Sequence, residues 1–294
     1  MVYQWYPGHM SKAKREMQNE LKLVDLVIEL VDARAPFSSK NPDIDYLAKD
    51  KKRIIIMNKA DLADDVVTNQ FKRYYENKGF AVLISDARNK AKIKGLDKLI
   101  QEVMKEKIEK DRKKGILNKP VRAMIAGIPN VGKSTFINTY FGKASAKTGN
   151  KPGVTTSKQW IRLGQGVELL DTPGLLWPKF ENQIIGLRIA LIGSINENIL
   201  DEREMACKLI EFLKANYKGL IENKYGIAES DEEAHIILEK IADKKACRKK
   251  GNELDLDRMS KQLLDDYRAG KIGKITLDRV LEEFPDDERR KAES

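Results

Sequence analysis

The sequence predicts an α/β protein with a doubly wound, mainly parallel sheet, followed by a smaller all-helical region. Short β-branched runs alternate with amphipathic stretches over the first 180 residues, a glycine-rich loop follows one of these runs, and the strand pattern ends after Pro178. Such a sheet is covered by helices on both faces and binds ligands at the carboxyl ends of its strands. We therefore expect one domain over residues 1–180 and a helical C-terminal domain over residues 181–294.

The expected elements follow from hydrophobic periodicity and turn residues. Six short apolar runs predict strands at 24–32, 53–58, 80–85, 121–127, 160–163 and 167–171. Residues 64–78 and 95–109 have helical patterns, and the charged stretch 105–120 is typical of a helix end with a basic connector. Residues 184–294 are helix-like throughout, with breaks near Gly219, Gly226, Gly251, Gly270 and Gly273.

Composition narrows the class of protein. The chain has 294 residues, 41% hydrophobic and 34% charged, which excludes a disordered tail. No apolar run approaches the roughly 18 to 20 residues of a membrane-spanning helix, and the first residues lack the apolar core of a secretory signal. The only cysteines, Cys207 and Cys247, do not form a disulfide or zinc pattern. We expect a cytoplasmic, monomeric protein that does not bind membranes.

The positive charge is concentrated in the first region. Residues 1–180 carry 34 Lys and Arg against 20 Asp and Glu, whereas residues 181–294 carry 21 against 25. An excess of this size favours an anionic partner such as nucleic acid. Plain solubility explains the charge equally well, so both interpretations stay open at this point.

A phosphate-binding loop is the strongest single motif. Gly127–Ser134 matches G-x-x-x-x-G-K-[ST] between an apolar strand and a helical stretch. In this pattern successive N–H groups and the helix N-terminus surround the phosphates, Lys133 reaches the β- and γ-phosphates, and Ser134 holds Mg²⁺. The expected nucleotide-binding residues here are Asn130, Val131, Gly132, Lys133, Ser134 and Thr135.

Two further segments complete a magnesium and γ-phosphate site. Asp171-Thr172-Pro173-Gly174 ends the strand 167–171, so Asp171 is placed to hold Mg²⁺ through water and the Gly174 N–H to meet the γ-phosphate. Thr155, in the loop between the two motifs, is expected to complete the Mg²⁺ shell when a γ-phosphate is present. An ordinary turn at DTPG and a plain loop threonine are the alternatives.

A second loop indicates which base is bound. In Asn58-Lys59-Ala60-Asp61, the carboxylate of Asp61 can accept hydrogen bonds from guanine N1–H and its amine, which adenine lacks. The Lys59 stem can lie along the base, and Asn58 can tie this loop to the phosphate loop. Further nucleotide contacts are expected from Ala60 and from Ser85, Asp86 and Ala87, where a backbone N–H could meet guanine O6. A simple Asx-type turn remains the alternative.

Together these motifs resemble the translation-factor-related P-loop GTPases, but the base motifs come before the P-loop, as in a circularly permuted GTPase domain. The segments WYPGHM, DARAPFSSKNP, NKAD, GIPNVGKST, PGVT and DTPGLLWPK resemble the ribosome biogenesis GTPase A (YlqF/RbgA) family. The resemblance implies a GTPase that binds GTP and GDP and acts late in assembly of the bacterial large (50S) ribosomal subunit. Its implied partners are the 50S subunit or its precursor and ribosomal RNA, with activity stimulated by the particle. A nucleotide-gated RNA-binding or signalling switch with incidental hydrolysis is the alternative.

Two features of the sequence are candidates for activating the attacking water. Leu175 stands where many P-loop GTPases have the glutamine that orients water. In the resembled family the histidine of PGHM, here His9, is the expected water-positioning residue, and a neutral imidazole suits that task. Similar GTPases ligate K⁺ at the position of Asn130, which gives a second source of catalytic charge. The alternative for His9 is a packing role, and His235 is expected to be structural.

A cluster of cations in the C-terminal region is the candidate RNA contact. Residues 240–255 are predicted to continue a helix on which cations four residues apart share a face, forming a ridge that could contact phosphates. A solvated helix end is the alternative. The expected RNA-binding residues are Lys244, Lys245, Arg248, Lys249 and Lys250, acting together with the basic first domain.

Overall fold

The computed structural model describes residue 15 and residues 17–116, 119–141, 159–163, 166–171, 182–195, 201–228 and 230–280. Within these residues six strands form one sheet in the order β3-β2-β1-β4-β6-β5. Only the edge strand β5 is antiparallel, which confirms the doubly wound, mainly parallel sheet. The strands are β1 (Leu26–Asp32), β2 (Lys52–Asn58), β3 (Ala81–Ile84), β4 (Val121–Ala126), β5 (Gln159–Leu163) and β6 (Val167–Asp171).

The strands are continuous apolar runs because both faces of the sheet are covered. Every residue of β1 is buried, including Glu29, whose carboxylate is satisfied by the Arg53 guanidinium and the Asn41 N–H. The covering helices include α1 (Pro42–Leu47), α2 (Asp65–Asn77), α3 (Gly95–Val103), α4 (Lys105–Lys113) and α5 (Lys133–Phe141). The helices expected at 64–78 and 95–109 are confirmed, although Met104 divides the second into α3 and α4.

The direction of winding locates the ligand crevice. From β1 the chain builds β2 and β3 on one side, and β4 then pairs with the other side of β1. The loops that follow β1 and β4 therefore leave the sheet in opposite directions, which opens a crevice at the carboxyl ends of these strands. Asp32 ends β1, and Gly127 follows β4 at this crevice.

The C-terminal region is mostly helical, as predicted. Helix α7 packs against α9 and α10, and its buried side chains Met205, Leu209 and Leu213 recur at helical spacing. These residues continue the same hydrophobic cluster that fills the sheet region. The helices are α6 (Gln183–Leu191), α7 (Glu202–Asn216), α8 (Leu220–Tyr225), α9 (Ala234–Lys244) and α10 (Leu256–Arg268).

Residues 271–280 are not helical, so the prediction of helix throughout the C-terminal region is wrong there. Gly270 and Gly273 adopt positive φ angles of 70° and 151°, which end the helical path. The backbone then bonds to the sheet region: the Ile275 N–H donates to the Leu62 carbonyl and the Leu277 N–H to the Arg34 carbonyl, at 3.1 and 2.6 Å. Periodicity could not show this, because the partners of the segment lie more than 200 residues away in the sequence.

The expected domain boundary at residue 180 lies outside the described residues, so the division into two domains stays a prediction. Buried Asp278 nevertheless joins the two regions closely. Its carboxylate accepts from the Phe37 and Ser38 N–H groups, the Ser38 hydroxyl and the Arg188 guanidinium, at 2.6 to 3.0 Å. The C-terminal segment is thus fixed to the loop that follows β1.

Candidate functional site

The phosphate loop lies between β4 and α5, at the crevice between the strand ends. Gly127 and Gly132 have φ angles of 152° and 97°, and Asn130 has a φ of 60°. A Cβ on Gly127 would lie 2.5 Å from the Leu30 carbonyl oxygen, and one on Gly132 would lie 2.5 Å from Asn58 Nδ2. Only glycine fits these two positions, and the resulting curl ends at the N-terminus of α5, where anions are favoured.

Lys133 is folded across this loop. Its ammonium donates to the carbonyls of Gly127 and Ile128 at 3.0 and 2.9 Å, and the residue is buried. Ser134 and Thr135 follow in the first turn of α5 and are half-buried. The loop therefore holds a cation and two hydroxyl groups at a helix N-terminus, which is the donor set that a phosphate chain with Mg²⁺ requires.

Asn58 joins three loops of the site. At the end of β2, its Nδ2 donates to the Val131 carbonyl at 2.7 Å, which is the tie to the phosphate loop that the sequence predicts. Its Oδ1 accepts from the Ala87 N–H at 2.9 Å, a second tie that the sequence analysis did not foresee. A further backbone bond, from the Ala60 N–H to the Ser85 carbonyl at 3.0 Å, fixes the two base loops to each other.

One carboxylate oxygen of Asp61, in the base loop, lacks a hydrogen-bond donor within the described part of the chain. Its Oδ1 is buried and has no hydrogen-bond partner among the described residues. Its Oδ2 is paired with the Arg88 guanidinium, which also contacts Asp86 at 3.3 Å. Asp61 and Asp86 therefore share one arginine, while a carboxylate oxygen of Asp61 is unsatisfied.

Lys59 lies between the base loop and the phosphate loop. Its φ of 58° turns the chain sharply, and its ammonium donates to the Asn130 carbonyl at 2.6 Å and lies 3.0 Å from Asp32 Oδ2. Burial lowers the pKa of the Lys59 ammonium, and the nearby Asp32 carboxylate counteracts this. The head group thus binds the protein, and the predicted role of the Lys59 stem along a base stays a prediction.

Sequence reasoning missed the buried ion pair next to this lysine. Asp32 and Arg34 form a bidentate pair, with distances of 2.9 and 2.7 Å. Burial alone would raise the pKa of Asp32, but Arg34 and Lys59 hold it well below its usual range. The segment DARAP was noted only for its resemblance, although two opposite charges directly after an apolar strand are a signal for a buried pair.

The same arginine connects the site to the helical region. Arg34 donates to the Arg268 and Ile192 carbonyls at 3.1 and 3.4 Å, at the end of α10 and just past α6. The phosphate loop makes a similar contact, because Asn130 Nδ2 donates to the Gly193 carbonyl at 2.7 Å. No motif near Arg34 or Asn130 in the sequence predicts either contact.

The expected magnesium ligands are only partly described. Asp171 ends β6 opposite Ile125 of β4, so its backbone lies beside the strand that leads into the phosphate loop. Ser134 is in the first turn of α5. His9, Thr155 and Gly174 lie outside the described residues, and their roles stay predictions.

The expected cationic ridge at 244–250 does not have the predicted helical geometry. Helix α9 ends at Lys244, Ala246 has a positive φ of 50°, and Arg248 forms a β-bridge with Leu254. The cations are also engaged within the chain: Lys244 with the Gly226 carbonyl, Lys245 with the Tyr225 ring, Arg248 with Asp243, and Lys249 with Asp257. A role of these residues in RNA binding stays a prediction. The helical ridge on which it was based is not present in the described residues.

No helix of the described residues is both long and apolar enough to span a membrane. In the same part of the chain, no group of three or more His, Cys, Asp or Glu side chains is placed to hold a metal ion.

Two family models match the sequence. One is described as a 50S ribosome-binding GTPase and matches residues 122–247, and the other is described as RsgA GTPase and matches residues 44–181. Among solved structures, the chain is similar to GNP-bound YlqF from T. maritima, with a TM-score of 0.64 and 26% identity over 91% of this chain and 98% of that one. The GDP-bound form gives a TM-score of 0.65 at 26% identity, over 90% and 99%.

Curated relatives cover nearly the full length. The chain is 44% identical to ribosome biogenesis GTPase A of Bacillus cereus, over 97% of this chain and 96% of that protein. It is 31% identical to ribosome biogenesis GTPase A of Thermotoga maritima, over 94% of each, and 33% identical to mitochondrial ribosome-associated GTPase 1 of Mus musculus, over 95% and 91%. Because this similarity takes in both the nucleotide loops and the helical region, the chain belongs to the ribosome biogenesis GTPase A family of GTP-hydrolysing enzymes.

Proposed function

We propose that this chain binds GTP through Asp61 and the phosphate loop, and that its hydrolysis times a late step in maturation of the large ribosomal subunit. The buried, unpartnered Oδ1 of Asp61 is the observation that carries the nucleotide part of the proposal. A buried carboxylate oxygen without a donor is costly, and guanine supplies donors from N1–H and its amine. Adenine would leave this oxygen unsatisfied.

The phosphate chain would lie across the curled loop, where Lys133 exchanges the Gly127 and Ile128 carbonyls for the β- and γ-phosphates. The Ser134 hydroxyl and the Asp171 carboxylate are oxygen ligands of the kind that Mg²⁺ prefers. When bound, the ion would neutralise charge that develops on the phosphates. Thr155 and the Gly174 N–H would complete the γ-phosphate contacts.

For water activation we propose His9, since Leu175 provides no polar group at the usual glutamine position. A neutral imidazole can accept a hydrogen bond from the attacking water near pH 7. Asn130 offers a carboxamide oxygen for K⁺, which would add positive charge beside the phosphates. The relatives named for ribosome biogenesis support the large subunit as the partner.

Guanine recognition is tested by Asp61→Asn. The substitution exchanges one carboxylate oxygen for an amide donor, which matches the O2 of xanthine and not the amine of guanine. We expect GDP affinity to fall at least about 10-fold, since each bond to a charged group is worth about 1.5–3 kcal/mol, and xanthosine diphosphate to bind better than before. The control is Asp65→Asn, an exposed acid a few residues away that pairs with Lys274. Unchanged preference for GDP over XDP would contradict the assigned role of Asp61.

The assembly function is tested by GTP turnover with and without purified 50S subunits, in KCl and in NaCl at equal ionic strength. We expect strong stimulation by 50S subunits, dependent on K⁺, and no stimulation by free RNA. His9→Ala should keep GTP affinity and lower the stimulated rate. Turnover that 50S subunits do not change would instead favour a nucleotide-gated binding switch.

A further inference from the structure

Helix α4 carries a row of exposed cations. Five of its cations, counting the capping Lys114, have no ion-pair partner among the described residues: Lys105, Lys110, Arg112, Lys113 and Lys114. All five are exposed. Of the acids on the helix, Glu106 pairs with Lys52 and Asp111 with Lys107, which leaves Glu109 as the opposing charge.

The helix is attached on one side only. Ile108 packs against the core, and Lys107 Nζ lies 2.7 Å from Asp25, on the side that faces the protein. At 100° per residue Lys105, Lys110 and Lys113 lie on the opposite half of the helix, and Arg112 and Lys114 lie at its two borders. Glu106 and Glu109 share this outer half. A helix with no fully buried residue adds little to the core, so its basic half is a surface presented to solvent.

The position of α4 separates this surface from the nucleotide. Asp25 immediately precedes β1 and Lys52 opens β2, so their contacts with α4 place the helix at the amino ends of the strands. The nucleotide loops follow the carboxyl ends, and a strand of seven residues spans about 20 Å. Exposed Lys22, Lys49 and Lys119 precede β1, β2 and β4 at this same end.

We propose that α4 and the amino end of the sheet, together the α4 surface, dock on the phosphate backbone of double-stranded RNA, which deepens the proposed ribosome function by naming the contact surface. Lysine and arginine at the surface of a helix match a row of phosphates and read no sequence. The cluster at 244–250 fits this task less well, since four of its five cations already have partners in the chain. Because the α4 surface is remote from the nucleotide loops, it anchors the protein in either nucleotide state.

The test compares two triple variants that each remove three lysine charges. The first is Lys110→Gln, Lys113→Gln and Lys114→Gln, at i, i+3 and i+4 on α4. The matched control removes exposed lysines of the helical region that are not among the expected RNA contacts, by Lys208→Gln, Lys218→Gln and Lys261→Gln. Glutamine preserves helix propensity, and thermal melts verify that both variants fold. Binding is measured to 50S subunits and to an RNA duplex of about 16 base pairs or more, as a function of salt.

We expect the α4 variant to bind both probes at least about 10-fold more weakly near 0.1 M salt, with a salt slope smaller by about 2 to 3. Its GDP affinity and intrinsic GTP turnover should equal those of the wild type. Equal binding by the α4 variant, or a larger loss in the control, would overturn the surface assignment while the assembly function stands. A loss toward 50S subunits with unchanged duplex binding would indicate a protein partner and overturn it too. Failure of the wild type to bind either probe would overturn both proposals.

Discussion

Replacing Arg88 by alanine is expected to tighten the binding of GDP, although the substitution removes a positive charge near an anionic ligand. The Arg88 guanidinium is paired with Oδ2 of Asp61, and it also contacts Asp86. In the proposed binding mode guanine uses both carboxylate oxygens of Asp61, one for N1–H and one for the amine. Arg88 must therefore break its contact with Oδ2 when the base binds. The free energy lost with this ion pair makes the binding of GDP weaker.

The size of the effect follows from the exposure of the pair. The Arg88 side chain is 67% exposed, and that of Asp61 is 23% exposed. Ion pairs with such access to water contribute about 0–1 kcal/mol. Since about 1.4 kcal/mol corresponds to a tenfold change, Arg88→Ala should lower the Kd for GDP by a factor of up to about 5.

A titration with a fluorescent GDP analogue, at 0.05 M and 1 M salt, tests both the direction of the change in Kd and its electrostatic cause. The ion pair is screened as the Debye length falls to about 3 Å at 1 M, so the difference between variant and wild type should disappear there. Arg112→Ala is the matched control, since it removes the same charge at the far end of the sheet. It should leave the Kd unchanged at both salt concentrations.

Two outcomes would refute this reasoning. Weaker GDP binding by Arg88→Ala would mean that the guanidinium contacts the nucleotide, as a stacking or phosphate-binding group. Tighter binding that persists unchanged at 1 M salt would mean that Arg88 acts through the shape of the loop. The explanation that Arg88 and guanine compete for Asp61 would then be wrong.

Three further changes should alter stability in defined ways. Asn58→Ala leaves two buried backbone groups without partners, so the free energy of unfolding should fall by about 2–4 kcal/mol in urea titrations, and GDP affinity should fall with it. Asp278→Ala removes the Asp278 carboxylate from the buried Arg188 guanidinium, which should lower the free energy of unfolding by about 3–5 kcal/mol in the same measurement. Asp50→Ala, at an exposed acid, is the control. The depressed pKa of Asp32 stabilises the fold fully above about pH 4, and this stabilisation should be lost as the pH falls, so Asp32→Asn should flatten the acid limb of a stability–pH profile.

Local patterns were sufficient for most of the fold. The six expected strands and the helices at 64–78 and 95–109 agree with the structure to within a few residues, because continuous apolar runs and helical spacing are properties of neighbouring residues. The cap of α2 is equally local: Asp64 accepts from the N–H groups of Val66 and Val67. The non-helical segment at 271–280 escaped prediction because its backbone bonds go to Leu62 and Arg34, which are distant in the sequence.

The same distinction applies to the site. Gly127, Gly132 and the Asn58 tie could be predicted because each belongs to a motif with fixed spacing. The pairing of Arg88 with Asp61 could not, since it joins the ends of two different loops. The failure at 244–250 has another cause: charge spacing alone suggested a helix, but α9 ends at Lys244 and Ala246 adopts the left-handed conformation.

The contact between the phosphate loop and the helical region would allow both parts of the chain to influence the proposed K⁺ site at Asn130. A carboxamide is planar, with its oxygen and nitrogen on opposite branches, so a hydrogen bond from Asn130 Nδ2 to the Gly193 carbonyl turns Oδ1 away from Gly193. The Arg268 guanidinium fixes the same turn by donating to the Ala190 and Leu191 carbonyls, at 3.1 and 3.0 Å. The end of α6 thereby sets which atom of Asn130 is presented to a ligand. If K⁺ binds at Asn130, its ligand oxygen is oriented by the helical region, and a change at α6 would alter K⁺ dependence without altering any residue that touches the nucleotide.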